Sequence, residues 1–311
     1  MQLEDLRVVL KVAQFRNITA AAASLDMRTT TASAALKRVE RELGAELFIR
    51  TTRQLRLSGA GERYIPMCEE ALVKLDQARR NMKDDLDVIE GELRITLSSD
   101  LGRNLVSPWL DEFMEAYPDV RLRSHITDSN LDFFRDSVDI ALRYGAPNDS
   151  NLYGFKICNV PLLLCASRAY LDRHGTPRNP YDLSSHNGLF YQLQDITYDL
   201  WTFTNEGKDY KIKINGNRVS NDGDLVRRWC VAGKGVAVKS CLDISADLIS
   251  GKVVPLMPGF SHRPTELWLV FPSRQSITPA TRLLRDMLRR KTGVVLDQLI
   301  EADILDASVL D

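Results

Sequence analysis

A short polar face near the N-terminus is the first set of residues whose types and spacing could do chemistry. Thr30, Ser33, Ala34 and Lys37 recur at i, i+3, i+4 and i+7, so a helix would place them on one side. Short hydroxyl side chains can reach the edges of bases in a major groove, and threonine methyl groups can touch thymine. Lys37 and the adjacent Arg38 are suited to phosphates. The competing interpretation is a solvated polar helix face.

A basic tip follows this face. Arg50 and Arg53 flank two threonines between two short apolar segments, an arrangement typical of a hairpin whose tip contacts phosphates or a narrow minor groove. Residues 1–60 hold ten Lys and Arg against six Asp and Glu, so 10 − 6 = +4, and the other 251 residues carry −5 of the total −1. A basic end on an acidic body indicates a polyanionic partner for that end. The predicted DNA-binding side chains are those of Thr29, Thr30, Thr31, Ser33, Lys37, Arg38, Arg50 and Arg53.

A second group of polar residues lies at the ends of predicted strands. Ligands of open α/β sheets bind beyond the carboxyl ends of strands and near helix N-termini. The group comprises Ser98, Ser99, Asp100, Thr127, Asp128, Arg143, Asn221 and Asp222. Helix ends and Arg143 favour a small organic acid, whereas the three aspartates argue against a naked polyanion. The alternative is that these residues only cap helices.

Several other chemistries find little support. The four histidines are dispersed without metal-ligand spacing, and we find no phosphate loop, dinucleotide motif or nucleophile elbow. The five cysteines include no CxxC; pairs 158/165 and 230/241 invite a redox interpretation, but small buried hydrophobic side chains are the simpler one. We therefore expect no enzyme, metal or cofactor. Without an apolar leader or a membrane-length apolar run, we expect a cytoplasmic protein.

Helical periodicity must position the first polar face. The apolar residues of helix one are Leu3, Leu6, Val9, Leu10 and Ala13. A short alanine-rich helix over 19–25 and a turn at Asp26-Met27 precede a helix over about 29–43, with Ala32, Leu36, Val39 and Leu43 inward and Gly44 as its stop.

A long helix over about 60–89 follows. Its apolar residues recur every three or four positions, which favours self-association through a helix pair: Tyr64, Cys68, Ala71, Leu75, Ala78, Met82, Leu86 and Ile89. Packing on its own domain is the alternative, and Pro66 is a candidate kink.

From Gly91 onward, strands alternate with helices. We predict strands at 93–97, 120–126, 140–143, 162–166, 211–214, 236–239 and 266–271, and helices at about 102–116, 223–232 and 279–290. Such alternation predicts an α/β domain with a parallel sheet. The acidic segment 292–311 is either a helix or a frayed end.

These segments together resemble the LysR-type transcriptional regulators over about residues 1–291. The resemblance rests on the alanine-rich second helix, on Ser33, Val39-Glu40, Glu42-Leu43-Gly44, Leu47-Phe48, Arg50, Leu57-Ser58 and Gly61-Glu62, and on later segments at 117–122, 138–145, 164–183 and 221–237. Two departures are Arg28, where the family usually has a capping serine, so that Thr29 would cap instead, and Ala34, where Arg or Lys is common.

The resemblance implies the organisation of the chain. It predicts a winged helix-turn-helix over 1–60, a linker and dimerisation helix over 61–90, and an effector-binding domain over 91–311. That domain would have two Rossmann-like lobes, as in periplasmic binding proteins: lobe I over about 91–160 and 265–291, lobe II over about 161–264, then the acidic tail 292–311. The implied function is sequence-specific binding of promoter DNA by a dimer or tetramer, modulated by a small molecule. A solute-binding protein is the alternative that the basic N-terminal domain disfavours.

Overall fold

The computed structural model describes residues 2–50, 55–84, 89–129, 133, 138–147, 149–193 and 196–307, and the side chains of these residues except at 50, 73 and 76–84. The chain forms two compact units, Met1–Met82 and Lys83–Asp311. Within the described ranges, no helix combines the length and apolarity needed to cross a bilayer.

Three helices, a hairpin and a long helix form the N-terminal unit. They are α1 (Leu3–Phe15), α2 (Ile18–Ser24), α3 (Thr29–Leu43), β1 (Phe48–Arg50), β2 (Leu55–Leu57) and α4 (Gly59–Asp84). The two strands pair antiparallel, as the hairpin pattern predicted. The third helix has the bounds that its periodicity predicted.

Small and branched residues form the core between α1, α2 and α3. Ala21 and Ala22 of α2 are buried, and their short side chains let the flanking helices approach closely. The predicted inward positions of α3 are confirmed at Ala32, Leu36 and Val39, but Leu43 is exposed. In α1 the centre of the core is Val8, Val9 and Val12, whereas the predicted Leu3, Leu6, Leu10 and Ala13 are only half-buried. The true apolar face is therefore rotated towards Val8 and Val12.

Backbone conformation marks the two ends of the segment that carries the polar face. Asp26 adopts φ 53° in the turn before α3, the left-handed conformation that aspartate tolerates better than most residues. Gly44 closes α3 at φ 64°, and its N–H bonds to the carbonyl of Arg41. The expectation that Thr29 caps α3 is wrong: Thr29 is the first helical residue, and Arg28 occupies the capping position, where its side chain has no acceptor to offer.

The long helix divides its apolar residues between two environments. Cys68 is buried on the N-terminal unit and Tyr64 is half-buried, whereas Ala71 and Leu75 are exposed. The helix is described to Asp84, residues 85–88 lie outside the described ranges, and Ile89 is not helical and packs on the core of the C-terminal unit. Of the predicted stripe, Ala78, Met82 and Leu86 fall outside the described side chains, and Ala71 and Leu75 are the exposed members among those described.

The C-terminal unit has thirteen strands and six helices in its described part. They are β3 (Gly91–Leu97), α5 (Ser99–Leu101), α6 (Ser107–Ala116), β4 (Val120–Ile126), β5 (Ile140–Tyr144), β6 (Tyr153–Val160), β7 (Leu162–Ser167), α7 (Arg168–His174), β8 (Leu189–Leu193), β9 (Ile196–Thr197), β10 (Leu200–Asn205), β11 (Lys208–Lys213), β12 (Arg218–Ser220), α8 (Gly223–Val231), β13 (Ala237–Ser240), α9 (Ser245–Ile249), β14 (Val253–Pro255), β15 (Thr265–Phe271) and α10 (Pro279–Glu301). Short 3₁₀ turns occupy Pro180–Ser185 and Arg274–Ser276.

The main sheet is mixed rather than parallel. Its order is β4-β3-β5-β15-β6, with β3 parallel to β4 and β5, whereas β15 is antiparallel to both of its neighbours. The expectation of a parallel sheet fails because β15 returns from the intervening segment 161–264 and enters the sheet from the opposite direction. That segment forms its own sheets, β13-β7-β14, β12-β8-β9 and the β10–β11 hairpin. We call the first sheet with its helices lobe I and the segment 161–264 lobe II.

The helix predicted over 102–116 begins earlier, at Ser99. One π-helical turn over Gly102–Val106 joins α5 to α6. At Gly102 a Cβ atom would lie 2.9 Å from the Cβ of Leu97, closer than real side chains approach. Glycine therefore lets the helix start directly after β3, which brings Ser98, Ser99 and Asp100 to the end of the sheet.

The acidic C-terminal segment is part of the fold. Helix α10 extends to Glu301, well past the predicted end near residue 290, and Leu296, Leu299 and Leu305 are buried in the large core of the C-terminal unit. The Thr292 hydroxyl, also buried, donates to the carbonyl of Leu288 at 2.9 Å. Apolar residues between the acids thus hold the segment against the domain.

We predict that Leu299→Ala destabilises the C-terminal unit by about 3 kcal/mol, because it removes a fully buried side chain and leaves a cavity. Urea unfolding followed by circular dichroism would measure the change. Val294→Ala is the matched control, since Val294 lies on the same helix but is 49% exposed. Equal shifts for the two variants would contradict this packing of the C-terminal segment.

Candidate nucleic-acid interface and interlobe site

The outward side of α3 is a continuous polar surface. Thr29, Thr30, Thr31 and Lys37 are exposed, and Ser33 is half-buried at the edge of the same surface. Ala34 lies exposed between them. The structure therefore brings the predicted hydroxyls and the predicted cation together on one helix face that the rest of the N-terminal unit leaves uncovered.

An ion pair ties this helix to α1. The buried carboxylate of Asp5 accepts hydrogen bonds from Nε of Arg38 at 3.1 Å and from Nη2 at 2.5 Å. The hydrogen bond from Arg38 is the main reason that the pKa of Asp5 lies below its ordinary value. Arg38, predicted to contact phosphate, thus also holds α3 in place. The sequence signal was Asp5 itself, an acid three and four residues before the buried Val8 and Val9.

A second carboxylate joins α3 to the hairpin. Oε1 of Glu40 accepts hydrogen bonds from the backbone N–H groups of Leu47 and Phe48, at 2.9 and 3.3 Å. These donors lie at the start of β1, so Glu40 sets where the hairpin leaves the helix. Ser58, after β2, accepts a hydrogen bond from the N–H of Gly61 at 3.0 Å and so fixes the start of α4.

The basic tip is only partly described. Arg50 is the last residue of β1 and pairs with Leu55 of β2. Arg53 and the rest of the tip, residues 51–54, lie outside the described residues. The predicted role of the tip remains a prediction.

The second predicted group gathers where the two lobes meet. Oδ1 of Asp128 accepts the N–H of Ser99 at 2.7 Å, and Oδ2 accepts the Ser99 hydroxyl and, at 2.8 Å, the N–H of Gly223. Ser99 belongs to lobe I and Gly223 begins α8 of lobe II. Asp222 caps α8 through the N–H of Leu225 at 3.0 Å. Residues from three separate segments are thus in direct contact.

Salt bridges extend this contact along α8. Arg103 donates to Asp222 at 2.9 Å, which ties the π-helical turn of lobe I to the α8 cap. The amide of Asn104 donates to the buried carboxylate of Asp224 at 2.8 Å. Arg228 also pairs with Asp224, at 2.8 Å. The π-helical turn between α5 and α6 and the first turn of α8 therefore form one polar interface.

A buried lysine lies beneath that interface. The ammonium of Lys239, on β13, donates to Asp100 and to the carbonyl of Gly223 at 3.1 Å. Burial alone would lower the pKa of Lys239, but Asp100 and Asp243 outweigh it and raise the pKa, so the ammonium stays charged. Burial also raises the pKa of Asp243 to about 8, and the Tyr144 hydroxyl donates to that carboxyl at 2.5 Å. Sequence reasoning missed Lys239, although a lysine inside an apolar strand was a visible signal.

The other predicted effector residues surround this interface. Arg143 donates to the hydroxyl of Thr96 at 2.8 Å and to the carbonyl of Thr127. The Thr127 hydroxyl bonds with that of Ser129 at 2.7 Å. The hydroxyl of Ser98 is buried and has no hydrogen-bond partner within the part of the chain that the structure describes. Asn221 is exposed just before α8.

All five cysteines are free, and four of them, Cys68, Cys165, Cys230 and Cys241, are buried, as the simpler interpretation predicted. Sγ of Cys165 lies 3.9 Å from Sγ of Cys230, both fully buried, whereas the sequence suggested pairs 158/165 and 230/241. The contact with Cys230 and burial raise the pKa of Cys165 well above its ordinary value. Protonated, buried thiols behave as small hydrophobic side chains. In the described ranges, no group of three or more His, Cys, Asp or Glu is arranged to hold a metal ion.

Two family models match the chain. One, described as a bacterial regulatory helix-turn-helix protein of the LysR family, matches residues 3–62. The other, described as a LysR substrate binding domain, matches residues 87–293. Together they cover the α1–α3 unit with its hairpin and most of both lobes.

Curated relatives and solved structures agree with these matches. The transcriptional regulator DmlR of Escherichia coli is 31% identical over 288 residues, 93% of this chain and 94% of its own. The transcriptional activator AaeR of E. coli is 27% identical, covering 96% and 93%.

Among solved structures, CrgA, a LysR-type transcriptional regulator from Neisseria meningitidis, is 26% identical with a TM-score of 0.61 and covers 94% of this chain and 99% of its own. The full-length virulence activator AphB of Vibrio cholerae is 25% identical with a TM-score of 0.61, covering 93% and 98%. With both domains matched and a 31% identical regulator aligned over nearly its whole length, the chain belongs to the LysR family of DNA-binding transcription regulators, with a helix-turn-helix and an effector-binding domain.

Proposed function

We propose that the outward face of α3 reads base edges in the major groove of promoter DNA. The observation that carries the proposal is the exposed surface formed by Thr30, Ser33 and Lys37 on a helix that the Asp5–Arg38 pair ties to α1 and that Glu40 joins to the hairpin. A major groove admits one α-helix, and short hydroxyls at its surface reach base edges. Thr29, Thr31 and Arg38 flank this face, and Arg50 and Arg53 of the hairpin would contact the backbone or the minor groove.

The same proposal requires two copies of the chain. Helix-turn-helix dimers place two recognition helices in successive major grooves of a symmetric site. The exposed side chains of Ala71 and Leu75 on α4 support pairing through the long helix. We propose a dimer, or a tetramer built from dimers, as the DNA-binding form.

For the effector domain we propose regulation by a small polar molecule that binds between the lobes, and no catalysis. Arg143 and Thr127 are in contact, Ser98 adjoins Ser99 of the interlobe contact, and Asn221 precedes α8, so hydroxyl, guanidinium and amide groups flank the place where the lobes meet. A catalytic site would need a nucleophile beside a general base. The buried thiols and the paired aspartates described above supply no such combination. The ligand acts only if its affinity differs between two arrangements of the protein.

Substitutions on α3 test the DNA-reading face. We expect Lys37→Ala to weaken binding to all sequences alike and to reduce the salt slope by about one, because it removes one phosphate contact. Ser33→Ala should instead reduce the preference for the specific site by about 1 kcal/mol. Fluorescence anisotropy with the DNA upstream of the chain's own gene, against a scrambled duplex over a salt series, measures both effects.

Arg168→Ala is the matched control for Lys37, because it removes one exposed positive charge from the C-terminal unit. It should leave both affinity and salt slope unchanged. If all three variants lose the same affinity for both duplexes, the proposed face is not the one that reads DNA.

A further substitution tests how α3 is held. We expect Asp5→Asn to lower the melting temperature of the N-terminal unit by a few degrees and to weaken specific DNA binding, because the amide cannot accept both hydrogen bonds from Arg38. Differential scanning fluorimetry and the same anisotropy assay measure the two effects. Glu4→Gln is the control, an exposed carboxylate on the same helix. Indistinguishable behaviour of the two variants would show that the Asp5–Arg38 pair does not position α3.

A further inference from the structure

The interlobe site already contains a carboxylate, and it belongs to the protein. Three donors converge on Asp128: the N–H of Ser99 at 2.7 Å, the hydroxyl of Ser99, and the N–H of Gly223 at 2.8 Å. Both oxygens of the carboxylate are used. Two backbone N–H groups with one hydroxyl form a donor set well matched to a carboxylate.

One donor residue, Ser99, comes from lobe I and the other, Gly223, comes from lobe II. Each of them is also held by another residue. Ser99 is 3% exposed, and its hydroxyl oxygen also accepts the N–H of Asp224 at 3.3 Å, so its proton is directed at Asp128. Gly223 is held by Lys239, which hydrogen-bonds to its carbonyl. A Cβ on Gly223 would lie 3.4–3.6 Å from atoms of Asp100, Ser99 and Asp128. Both donor residues thus have a further hydrogen-bond partner, and the space beside Gly223 is filled by these side chains.

We propose that Asp128 is a resident carboxylate that fills the position where a ligand carboxylate would otherwise bind, and that it sets the ligand selectivity of this site. An effector carboxylate binds there only by displacing Asp128. Displacement breaks the bond between Asp128 of lobe I and Gly223 of lobe II, so it loosens the contact between the lobes. The inference rests on the proposed effector function. It adds that the expected organic acid must compete with the Asp128 side chain for the donors on Ser99 and Gly223.

Chemical rescue tests this proposal on the full chain. Asp128→Ala removes the carboxylate and leaves a space of about the size of formate. We expect the variant to melt about 5 °C lower than wild type, since charged hydrogen bonds between the lobes are lost. Formate should restore most of the loss in a saturable manner, whereas chloride at equal ionic strength and the neutral isostere formamide should not. Wild type should show no specific response to formate.

Two further variants complete the experiment. Asp128→Asn keeps the size of the side chain but lacks the charge, so it should be destabilised and formate should not rescue it, because no space is left. Asp119→Ala, an exposed aspartate of the same lobe, is the control and should melt as wild type does.

Failure of formate to stabilise or refold Asp128→Ala would overturn the proposal, as would equal stabilisation of wild type or equal rescue by formamide. DNA binding of wild type, measured separately, distinguishes this failure from a failure of the proposed function: a chain that binds promoter DNA without formate rescue refutes only the role of Asp128.

Discussion

Burial of the Lys239 ammonium between the lobes is the constraint on which the C-terminal unit depends. An unpaired buried charge is too costly to persist, so Asp100 from lobe I and the carbonyl of Gly223 from lobe II must both lie within reach. Because Asp100 is in α5 and Gly223 is the first residue of α8, this requirement places α5 against the first turn of α8. The convergence of Ser99, Asp128 and Asp222 follows from that placement.

The N-terminal unit also contains a buried charged group that is paired with a partner. Asp5 is buried under α3 and holds Arg38, and Glu40 holds the start of the hairpin. Arg38 balances the charge of Asp5, and two backbone N–H groups donate to Glu40. The opposite side of α3 is therefore free to present polar groups without strain on the packing. In both units, a paired charge inside the protein positions the surface that would contact a ligand.

Much of this arrangement could be predicted from the sequence because it depends on local patterns. The bounds of α3 follow from its periodicity and from Gly44, and the meeting of Ser99 with Asp128 follows from the parallel neighbours β3 and β4 ending at one edge of a sheet. The pairing of Asp5 with Arg38 and of Asp100 with Lys239 could not be, since the partners lie 33 and 139 residues apart and carry no local signature. The antiparallel direction of β15 is likewise a property of the chain path. The sequence left the C-terminal segment open between a helix and a frayed end because its acids conceal the spacing of Leu296, Leu299 and Leu305. The structure has the helix, which continues past residue 293, where the family model ends.

Methylation protection on the DNA upstream of the chain's own gene tests directly the proposal that the Thr30–Lys37 face of α3 lies in a major groove, because dimethyl sulphate modifies guanine N7 in that groove. We expect two clusters of protected guanines about 10 base pairs apart, one for each recognition helix of a dimer. Guanines that stay fully reactive throughout a saturated specific complex would contradict it.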